Sequence, residues 1–405
     1  MARQQSTTVG DICDRFRGEV QTGPFGSQLH SSDYSPDGTP VVMPQDMHDG
    51  RVTTTRIARV DELHAKRLRQ HALRRGDIAF SRRGDVARFA VITEAEEGWL
   101  CGTGSIRIRL NCPDIDIGYL RRYLNQPSIG AWLEHNAKGV TMPNLNTTIV
   151  RALPLAYPPL PEQRRIAAIL DQADALRAKR REALAQLDSL TQSIFIEMFG
   201  DPMTNPLGWA LVKINDLADV QGGLQVTSAR KELPVEVPYL RVANVYRGRL
   251  QLDEIKTIRA TPAEVSRTTL RKNDLLVVEG HGNPNEIGRS ALWNGSIAQC
   301  VHQNHLIRGR FDINRVMPVY ACEYLNSHGG RRHLLRAGKS TSGLNTISVS
   351  DVRDSPVALP PLALQETFAT RVQAVESLKT SHRAARAELD ALFASLQHRA
   401  FAGQL

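Results

Sequence analysis

Apolar and polar residues follow two different patterns along this chain. Short apolar runs at 77–80, 105–110 and 274–278 are punctuated by Gly and Asn, a pattern typical of strands and turns in a compact α+β domain. Two long segments, 162–199 and 363–402, contain neither Gly nor Pro, and a proline-rich stretch precedes each of them. Because proline favours the start of a helix and disrupts its interior, each segment predicts one long helix.

The two predicted helices share one heptad register. Their apolar positions coincide when the second segment is shifted by about 200 residues, and a stripe kept over about five heptads is typical of a coiled coil. Packing of each helix on its own domain alone is the alternative, but the stripe extends roughly 57 Å, which exceeds the face of one such domain. Because each domain enters its helix through the same proline-rich stretch, we predict an antiparallel pair. The predicted pairing residues are Ile166, Ala173, Leu176, Arg180, Leu187 and Ile194 in the first helix and Phe368, Val375, Leu378, His382, Leu389 and Leu396 in the second.

The chain is internally duplicated. Tyr-Leu-Asn at 123–125 recurs at 324–326, and Leu-Asn-Thr at 145–147 recurs at 344–346. The repeats are about 200 residues apart. A period of that length corresponds to a domain plus a connector rather than to a solenoid repeat. The predicted fold is therefore α+β, with two duplicated domains joined by two long α-helices that form an antiparallel coiled coil. The predicted boundaries are 1–157 for the first domain, 158–203 for the central helical region, 204–359 for the second domain and 360–405 for the C-terminal helical region.

Charge and cysteine content narrow the class of protein. The formal net charge is +9 and the isoelectric point is about 9.5, which favours an acidic partner such as a nucleic acid. The five cysteines form no Cys-x-x-Cys pair, so we expect neither a zinc site nor a disulfide framework. The polar start of the chain and the lack of an apolar run of about 20 residues predict a soluble, cytoplasmic protein that does not enter a membrane.

Two related basic domains on a long helical spacer suggest a reader of two DNA sites at a fixed separation. Dimeric DNA-binding proteins set the spacing of their half-sites by the same kind of geometry. The central sequences of the two domains differ strongly, so the two half-sites should differ as well. We therefore expect a bipartite and asymmetric target.

A series of short motifs follows in a fixed order along the chain. In the first half these are Gly-Pro-Phe-Gly-Ser at 23–27 with Asp-Tyr at 33–34, the stretch 76–84, Cys-Gly-Thr-Gly at 101–104, Pro-Asn-Leu-Asn-Thr at 143–147, Pro-Pro-Leu-Pro-Glu-Gln at 158–163 and Phe-Ile-Glu-Met-Phe-Gly-Asp-Pro at 195–202, and in the second half 277–284 and 302–305. Taken together and in this order, they resemble the motifs of the specificity subunits of type I restriction-modification systems. The resemblance covers essentially the whole chain. In that family two target-recognition domains alternate with two helical regions.

The resemblance implies a DNA-binding specificity subunit without catalytic activity. Such subunits hold methyltransferase subunits, two in the expected complex, and restriction motor-nuclease subunits on double-stranded DNA. Those partners, rather than this chain, would bind S-adenosylmethionine, ATP and magnesium. Asn283-Pro284-Asn285-Glu286 lacks the aromatic residue that stacks on a flipped base in a methyltransferase, and no phosphate-binding loop is present. Two alternatives stay open, namely the recognition part of a split or fused restriction-methylation enzyme and an interaction protein whose coiled coil binds another partner.

The candidate DNA contacts lie in polar or glycine-rich loops beside predicted strands. Arg82 and Arg83 suit a phosphate or a guanine edge, or a solvated loop. Gln303 and Asn304 suit adenine, and a zinc site at the neighbouring histidines is not favoured because no third ligand has a fitting spacing. The polar loop at 279–285 suits DNA reading or structural hydrogen bonding better than catalysis. The predicted DNA-binding residues are Ser27, Gln28, Arg82, Arg83, Thr103, Glu279, His281, Asn283, His302, Gln303, Asn304 and His305, with no catalytic residue and no metal ligand.

Overall fold

The computed structural model describes residues 5–139, 142–341 and 344–405. The chain divides into two compact units. Unit 1 consists of Met1–Arg180 and Ala385–Leu405, and unit 2 consists of Arg181–Ala384. None of the helices in the described ranges is long and apolar enough to cross a membrane.

Unit 1 begins with a mixture of short strands and helices and leads into a long helix. Its strands are β1 (Gln5–Thr8), β2 (Glu19–Thr22), β3 (Tyr34–Ser35), β4 (Thr39–Val42), β5 (Met47–His48), β6 (Arg51–Val52), β7 (Ala58–Val60), β8 (Ile78–Ser81), β9 (Phe89–Val91), β10 (Leu100–Cys101), β11 (Ser105–Arg109) and β12 (Pro154–Tyr157). Its helices are α1 (Val9–Phe16), α2 (Glu62–Arg67), α3 (Ile117–Leu124), α4 (Pro127–Asn136) and α5 (Thr147–Arg151), followed by α6 (Leu160–Phe199), which continues into unit 2.

Unit 2 repeats this arrangement. Its strands are β13 (Leu211–Lys213), β14 (Ala218–Gly222), β15 (Val235–Leu240), β16 (Val245–Tyr246), β17 (Arg249–Leu250), β18 (Lys256–Ala260), β19 (Leu275–Val278), β20 (Gly280–His281), β21 (Ser290–Leu292), β22 (Val301–His302), β23 (Leu306–Phe311), β24 (Lys339–Thr341), β25 (Leu344–Thr346) and β26 (Pro356–Ala358). Its helices are α7 (Pro262–Thr268), α8 (Pro318–Asn326), α9 (Arg332–Ala337) and α10 (Val349–Asp354), followed by α11 (Leu362–Phe401), which ends in unit 1.

The two units share the topology of their main sheets, which confirms the predicted duplication, whereas the three-stranded sheet β20-β25-β24 occurs among the described strands of unit 2 alone. An antiparallel sheet has the order β2-β11-β8-β9 in unit 1 and β14-β23-β19-β21 in unit 2. A second sheet in each unit combines an antiparallel and a parallel pair around one strand, β4 in unit 1 and β15 in unit 2. The last strand before each long helix pairs with the first strand of its unit, β12 with β1 and β26 with β13. The α+β fold class is therefore confirmed.

Each core includes the long helices as well as the antiparallel sheet. In unit 1, Phe80 of β8 and Ile166 of α6 belong to one cluster of buried residues. In unit 2, Val277 of β19 belongs to a cluster with Phe195 of α6 and Phe368 of α11. Burial of each such side chain stabilises the fold by about 1.5–3 kcal/mol. The long helices are thus structural parts of both units and not free connectors.

The two long helices run antiparallel within each unit, as predicted. In unit 1 the first half of α6 lies against the last part of α11, where Arg177 Nε donates to Asp390 Oδ1 at 2.6 Å and the guanidinium lies 4.4 Å from the centre of the Phe393 ring. In unit 2 the second half of α6 lies against the first part of α11, where Lys379 Nζ is 3.2 Å from Asp188 Oδ1. Ten predicted pairing residues are buried or partly buried, namely Ile166, Ala173, Arg180, Leu187, Ile194, Phe368, Val375, His382, Leu389 and Leu396.

The predicted seam is wrong at Leu176 and Leu378, whose side chains are 48% and 50% exposed. The second row of contacts lies one residue further along each helix, at Arg177 and Lys379. Sequence reasoning favoured the leucines because they are apolar. The structure instead packs the aliphatic stems of the arginine and the lysine against the seam, while their charged ends reach carboxylates at its edge.

One buried glutamine ties each long helix to its domain. The Gln163 amide accepts a hydrogen bond from Asp116 N at 2.8 Å and donates to the carbonyl oxygens of residues 114 and 158, both at 2.7 Å. The Gln365 amide accepts from Met317 N at 2.9 Å and donates to the carbonyl oxygens of residues 360 and 315, at 2.8 and 3.4 Å. Both side chains are fully buried. The glutamine of each proline-rich motif therefore fixes the start of the helix against the domain.

Candidate nucleic-acid interface

One inner strand of the antiparallel sheet, β8 in unit 1 and β19 in unit 2, is followed directly by an equivalent residue in each unit. In unit 1 this residue is Arg82, whose N–H donates to Gly104 O at 2.7 Å and whose carbonyl accepts from Leu145 N at 2.8 Å. In unit 2 it is Glu279, whose N–H donates to His305 O at 3.0 Å and whose carbonyl accepts from Ile347 N at 2.9 Å. The same pair of backbone hydrogen bonds holds a cationic side chain in one unit and an anionic one in the other.

Arg82 lies among polar groups that have no hydrogen-bond partner. Its guanidinium carbon lies 5.8 Å from the centre of the Phe25 ring, and its buried Nε has no partner among the described residues. Gln21 Oε1, Thr103 Oγ1 and Asn144 Oδ1 are likewise buried without a partner among the described residues. Thr103 and Asn144 directly precede Gly104 and Leu145, the two residues that bond the Arg82 backbone. Buried polar atoms are normally paired, so this cluster suits a polar ligand.

The other candidates of unit 1 lie on exposed loops beside Arg82. Gln28 Oε1 accepts a hydrogen bond from Phe25 N at 3.0 Å and so closes the loop that carries the Phe25 ring. Ser27 and Gln28 are exposed, and Arg83 is exposed directly after Arg82. These three predicted residues are therefore accessible to a ligand, and Gln28 also has a structural role in its own loop.

Glu279 contacts a histidine on the surface of unit 2. Its Oε2 lies 2.8 Å from His305 Nδ1, and the two side chains are 26% and 46% exposed. His281 Nδ1 accepts from Asn283 N at 3.0 Å. Asn345, on the strand that pairs with His281, donates to Gly282 O at 3.3 Å. Four of the predicted residues thus lie on one polar edge.

The turn at 303–305 presents its side chains outward. Gln303 N donates to Leu240 O at 3.0 Å, and Asn304 N donates to Leu224 O at 2.8 Å. Both side chains are partly exposed, and neither amide group forms a hydrogen bond within the described ranges. The backbone is therefore held while two amides stay available for a ligand.

His302 lies in the interior, so the prediction that it contacts DNA directly is wrong. The side chain is fully buried, and its Nδ1 lies 3.2 Å from Thr268 O. Burial, together with a smaller contribution from the nearby Arg308 guanidinium, lowers the pKa of His302 to about 4. His302 is therefore a neutral core residue. The polar run 302–305 was taken as one group, but strand β22 directs its first member inward.

Sequence reasoning missed Gln21, Phe25, Asn144 and Asn345. Asn144 and Asn345 lie within or beside the repeated Leu-Asn-Thr motif, so the duplication itself was a usable signal. The signal for Gln21 is absent from the sequence, because only strand pairing brings β2 beside β11. Within the described ranges no group of three or more His, Cys, Asp or Glu side chains is placed to hold a metal ion.

Comparisons with known proteins show which sequences and structures this chain resembles. The sequence model for the type I restriction modification DNA specificity domain matches residues 6–186. The EcoKI specificity subunit of Escherichia coli (strain K12) is 26% identical over 289 residues, covering 66% of this chain and 61% of the relative. The StySPI specificity subunit of Salmonella potsdam is 24% identical over 286 residues, with the same coverage. Residues 6–186 therefore match the type I specificity domain, and about two thirds of the chain is similar in sequence to type I specificity subunits.

Solved structures extend the likeness beyond the matched segment. One solved chain comes from a structural study of the assembly and conformational transition of a type I restriction-modification system. It has a TM-score of 0.61 at 19% identity, and the alignment covers 100% of both chains. The type I S subunit from M. genitalium has a TM-score of 0.54 at 15% identity, covering 98% of this chain and 96% of that one. These likenesses show that unit 2 shares the family fold. The sequence alignments span about three fifths of the length of the curated relatives, 61% for each of the two above.

Proposed function

We propose that this chain is the DNA-binding specificity subunit of a type I restriction-modification complex and reads a bipartite, asymmetric target. The carrying observation is that one strand end, held by the same two backbone hydrogen bonds, presents Arg82 in unit 1 and Glu279 in unit 2. Two copies of one fold with different polar edges suit two different half-sites on double-stranded DNA. The net charge of +9 adds the sequence-independent attraction to phosphate.

The long helices provide a surface for partner subunits. In unit 1 the exposed Leu176 of α6 and Leu392 of α11 flank the seam near the Arg177–Asp390 pair. In unit 2 the exposed Leu190 and Leu378 have equivalent positions. A surface that occurs twice suits two copies of the same partner, which we propose to be methyltransferase subunits. Restriction motor-nuclease subunits would join this complex.

The chemistry of the complex belongs in this proposal to the partners. Methyl transfer would use S-adenosylmethionine bound by the methyltransferase subunits, and cleavage would use ATP and magnesium on the motor subunits. The contribution of this chain is to position those subunits on a chosen sequence. Methyl transfer by the purified chain alone, abolished by one substitution in it, would contradict this assignment.

A domain exchange tests the proposed function. The chain is co-expressed with its methyltransferase subunits, and methylated sites are mapped by sequencing of the host genome. We expect one bipartite target. Replacing residues 204–359 with those of a family member should change one half of that target and leave the other unchanged. A target that changes in both halves, or no sequence-specific methylation by the wild-type complex, would contradict the proposal.

The partner surface is tested separately. The change of Leu176 and Leu392 to lysine should leave one methyltransferase bound, and the further change of Leu190 and Leu378 should leave none. The mass of the complex, measured by light scattering, distinguishes these states. Lysine at the equally exposed Leu207 is the matched control, because Leu207 lies outside both long helices. Full occupancy in the fourfold variant would exclude this surface.

A further inference from the structure

The opposite charges of Arg82 and Glu279 point to opposite hydrogen-bonding roles on DNA. We propose that Arg82 reads a guanine in one half-site and that Glu279 reads a cytosine in the other. This inference rests on the proposed function and names the specificity-determining residue of each unit. It assigns a G·C pair to one defined position of each half-site, with the recognised base differing between the two.

Arg82 has the chemistry and the placement of a guanine reader. A guanidinium carries five N–H donors and no acceptor, and paired donation to guanine O6 and N7 is the commonest specific contact in the major groove. The side chain is partly buried beside the Phe25 ring, so its orientation is restricted, whereas the next residue, Arg83, is exposed. No described residue accepts a hydrogen bond from the Arg82 guanidinium. Its donors are therefore available to a base.

Glu279 has the complementary chemistry. A carboxylate repels phosphate, so a carboxylate on a DNA-facing edge favours binding only where it accepts a hydrogen bond from a base. Cytosine N4 is the donor that Glu typically recognises in the major groove. His305 Nδ1 lies 2.8 Å from Glu279 Oε2 and restricts the carboxylate, while Oε1 forms no hydrogen bond with the described residues. One acceptor is thus held in place and left available.

Adenine N6 is the competing donor for Glu279. The amides of Gln303 and Asn304, on the turn next to His305, have both a donor and an acceptor and so match adenine better than a carboxylate does. Because Gln303 and Asn304 are better suited to adenine, we assign Glu279 to cytosine. A wild-type target with no G·C pair in either half-site would overturn the inference without any variant.

The variants Arg82→Gln and Glu279→Gln test the inference in the complex with the methyltransferase subunits. Glutamine pairs with adenine N6 and N7, so each variant should move the preference at one position from G·C towards A·T. Methylation of the wild-type target should fall about tenfold. Arg82→Gln should affect one half-site only, and Glu279→Gln the other. Genome-wide mapping of methylated sites gives both results.

Matched controls separate sequence reading from general effects. Arg74→Gln removes an exposed guanidinium before β8, at the opposite end of that strand from Arg82, and Glu232→Gln removes an exposed carboxylate elsewhere in unit 2; both should leave the target sequence unchanged. If Arg82→Gln does not fold, Arg82→Lys replaces it; this variant keeps the positive charge and should lose discrimination between bases at the same position. Glu279→Asp replaces Glu279→Gln in the same way, because it keeps the negative charge. If the wild-type complex methylates a bipartite target and the Arg82 and Glu279 variants methylate the same DNA sequence, the inference is overturned but the proposed function stands. A wild-type complex without a target would contradict the proposed function instead.

Discussion

Asp77 in unit 1 and Asp274 in unit 2 make the same bonds, whereas the residues five positions later carry opposite charges. Asp77 accepts two hydrogen bonds from Arg109, at 2.8 and 2.6 Å, and Asp274 accepts two from Arg310, at 2.8 and 2.7 Å. Beyond the strand, Arg82 and Glu279 share a backbone position but not a charge. Buried polar groups must be paired within the fold, so they recur in both copies. Polar groups at the exposed edge carry no such requirement, and there the two copies diverge.

The junction between domain and long helix shows an intermediate case. In unit 1 the Arg122 guanidinium lies 2.6 Å from Asp171 and 3.1 Å from Asp174, both on α6. At the equivalent place in unit 2, Glu323 of α8 faces Lys379 and Glu376 of α11. Both junctions therefore contain a charged side chain from the domain, but this side chain is the cationic Arg122 in unit 1 and the acidic Glu323 in unit 2. This difference gives the two units different responses to pH.

The largest effect should come from the shared carboxylates. Asp77→Ala and Asp274→Ala each leave a partly or largely buried arginine without its partner, so we expect each to lower the free energy of unfolding by about 3–5 kcal/mol. Urea denaturation measures this change. Asp37→Ala, at an exposed carboxylate, should stay within about 0.5 kcal/mol of the wild type. A loss in only one unit would mean that the two arginine–aspartate pairs are not equivalent.

The glutamine tethers should give the next largest effect. Gln163→Ala and Gln365→Ala each remove three hydrogen bonds from a fully buried amide, so we expect a loss of about 2–4 kcal/mol. Gln172→Ala, on the exposed face of α6, is the control and should change the free energy of unfolding by less than about 0.5 kcal/mol. Unequal losses at the two glutamines would show that the two helix starts are fastened differently.

The sequence predicted those features of the fold that are written twice. The repeated Tyr-Leu-Asn motif ends an equivalent helix in each unit, α3 and α8, and the proline-rich motifs precede the long helices. The repeated Leu-Asn-Thr motif is not equivalent in structure, because it leads into α5 in unit 1 but forms β25 in unit 2. The inward position of His302 and the unpartnered atoms around Arg82 were not readable, because they depend on which strands pair. The roles of Asp77 and Asp274 were missed as well, since their arginine partners are distant in sequence. Periodicity predicts faces, whereas pairing between distant segments decides which polar residue is buried.

The reversed charge at Glu323 should make the stability of the protein depend on pH. Burial raises the pKa of Glu323 from 4.5 to about 7; Lys379 opposes this shift and Glu376 adds to it. Because the folded state binds the proton more tightly than the unfolded state, this group's stabilising contribution is full below about pH 4.5 and is lost as the pH rises towards 7. Glu323→Gln should therefore become more stable relative to the wild type between pH 5 and 7.5, by about 1–3 kcal/mol.

The measurement is urea denaturation of both proteins across that pH range. The Glu376→Gln variant is a useful comparison, because it removes the neighbouring carboxylate that raises the pKa of Glu323; it should move the transition to lower pH without abolishing it. A stability difference between Glu323→Gln and the wild type that is constant from pH 5 to 7.5 would mean that Glu323 does not titrate in this window.

The smallest effect should come from the leucines that sequence reasoning placed in the seam. Leu176 and Leu378 are half exposed, whereas Leu170 and Val372, each three residues before a predicted seam position, are buried. Leu176→Ala and Leu378→Ala should therefore change the free energy of unfolding by less than about 0.5 kcal/mol, while Leu170→Ala should cost about 2–5 kcal/mol. Urea denaturation of the chain without partners makes the comparison. Equal losses in the free energy of unfolding at Leu170 and Leu176 would mean that Leu176 packs in the helix–helix seam, as its apolar character alone predicts. A small cost at Leu176 together with weaker binding of the methyltransferase would instead assign its side chain to the proposed partner surface.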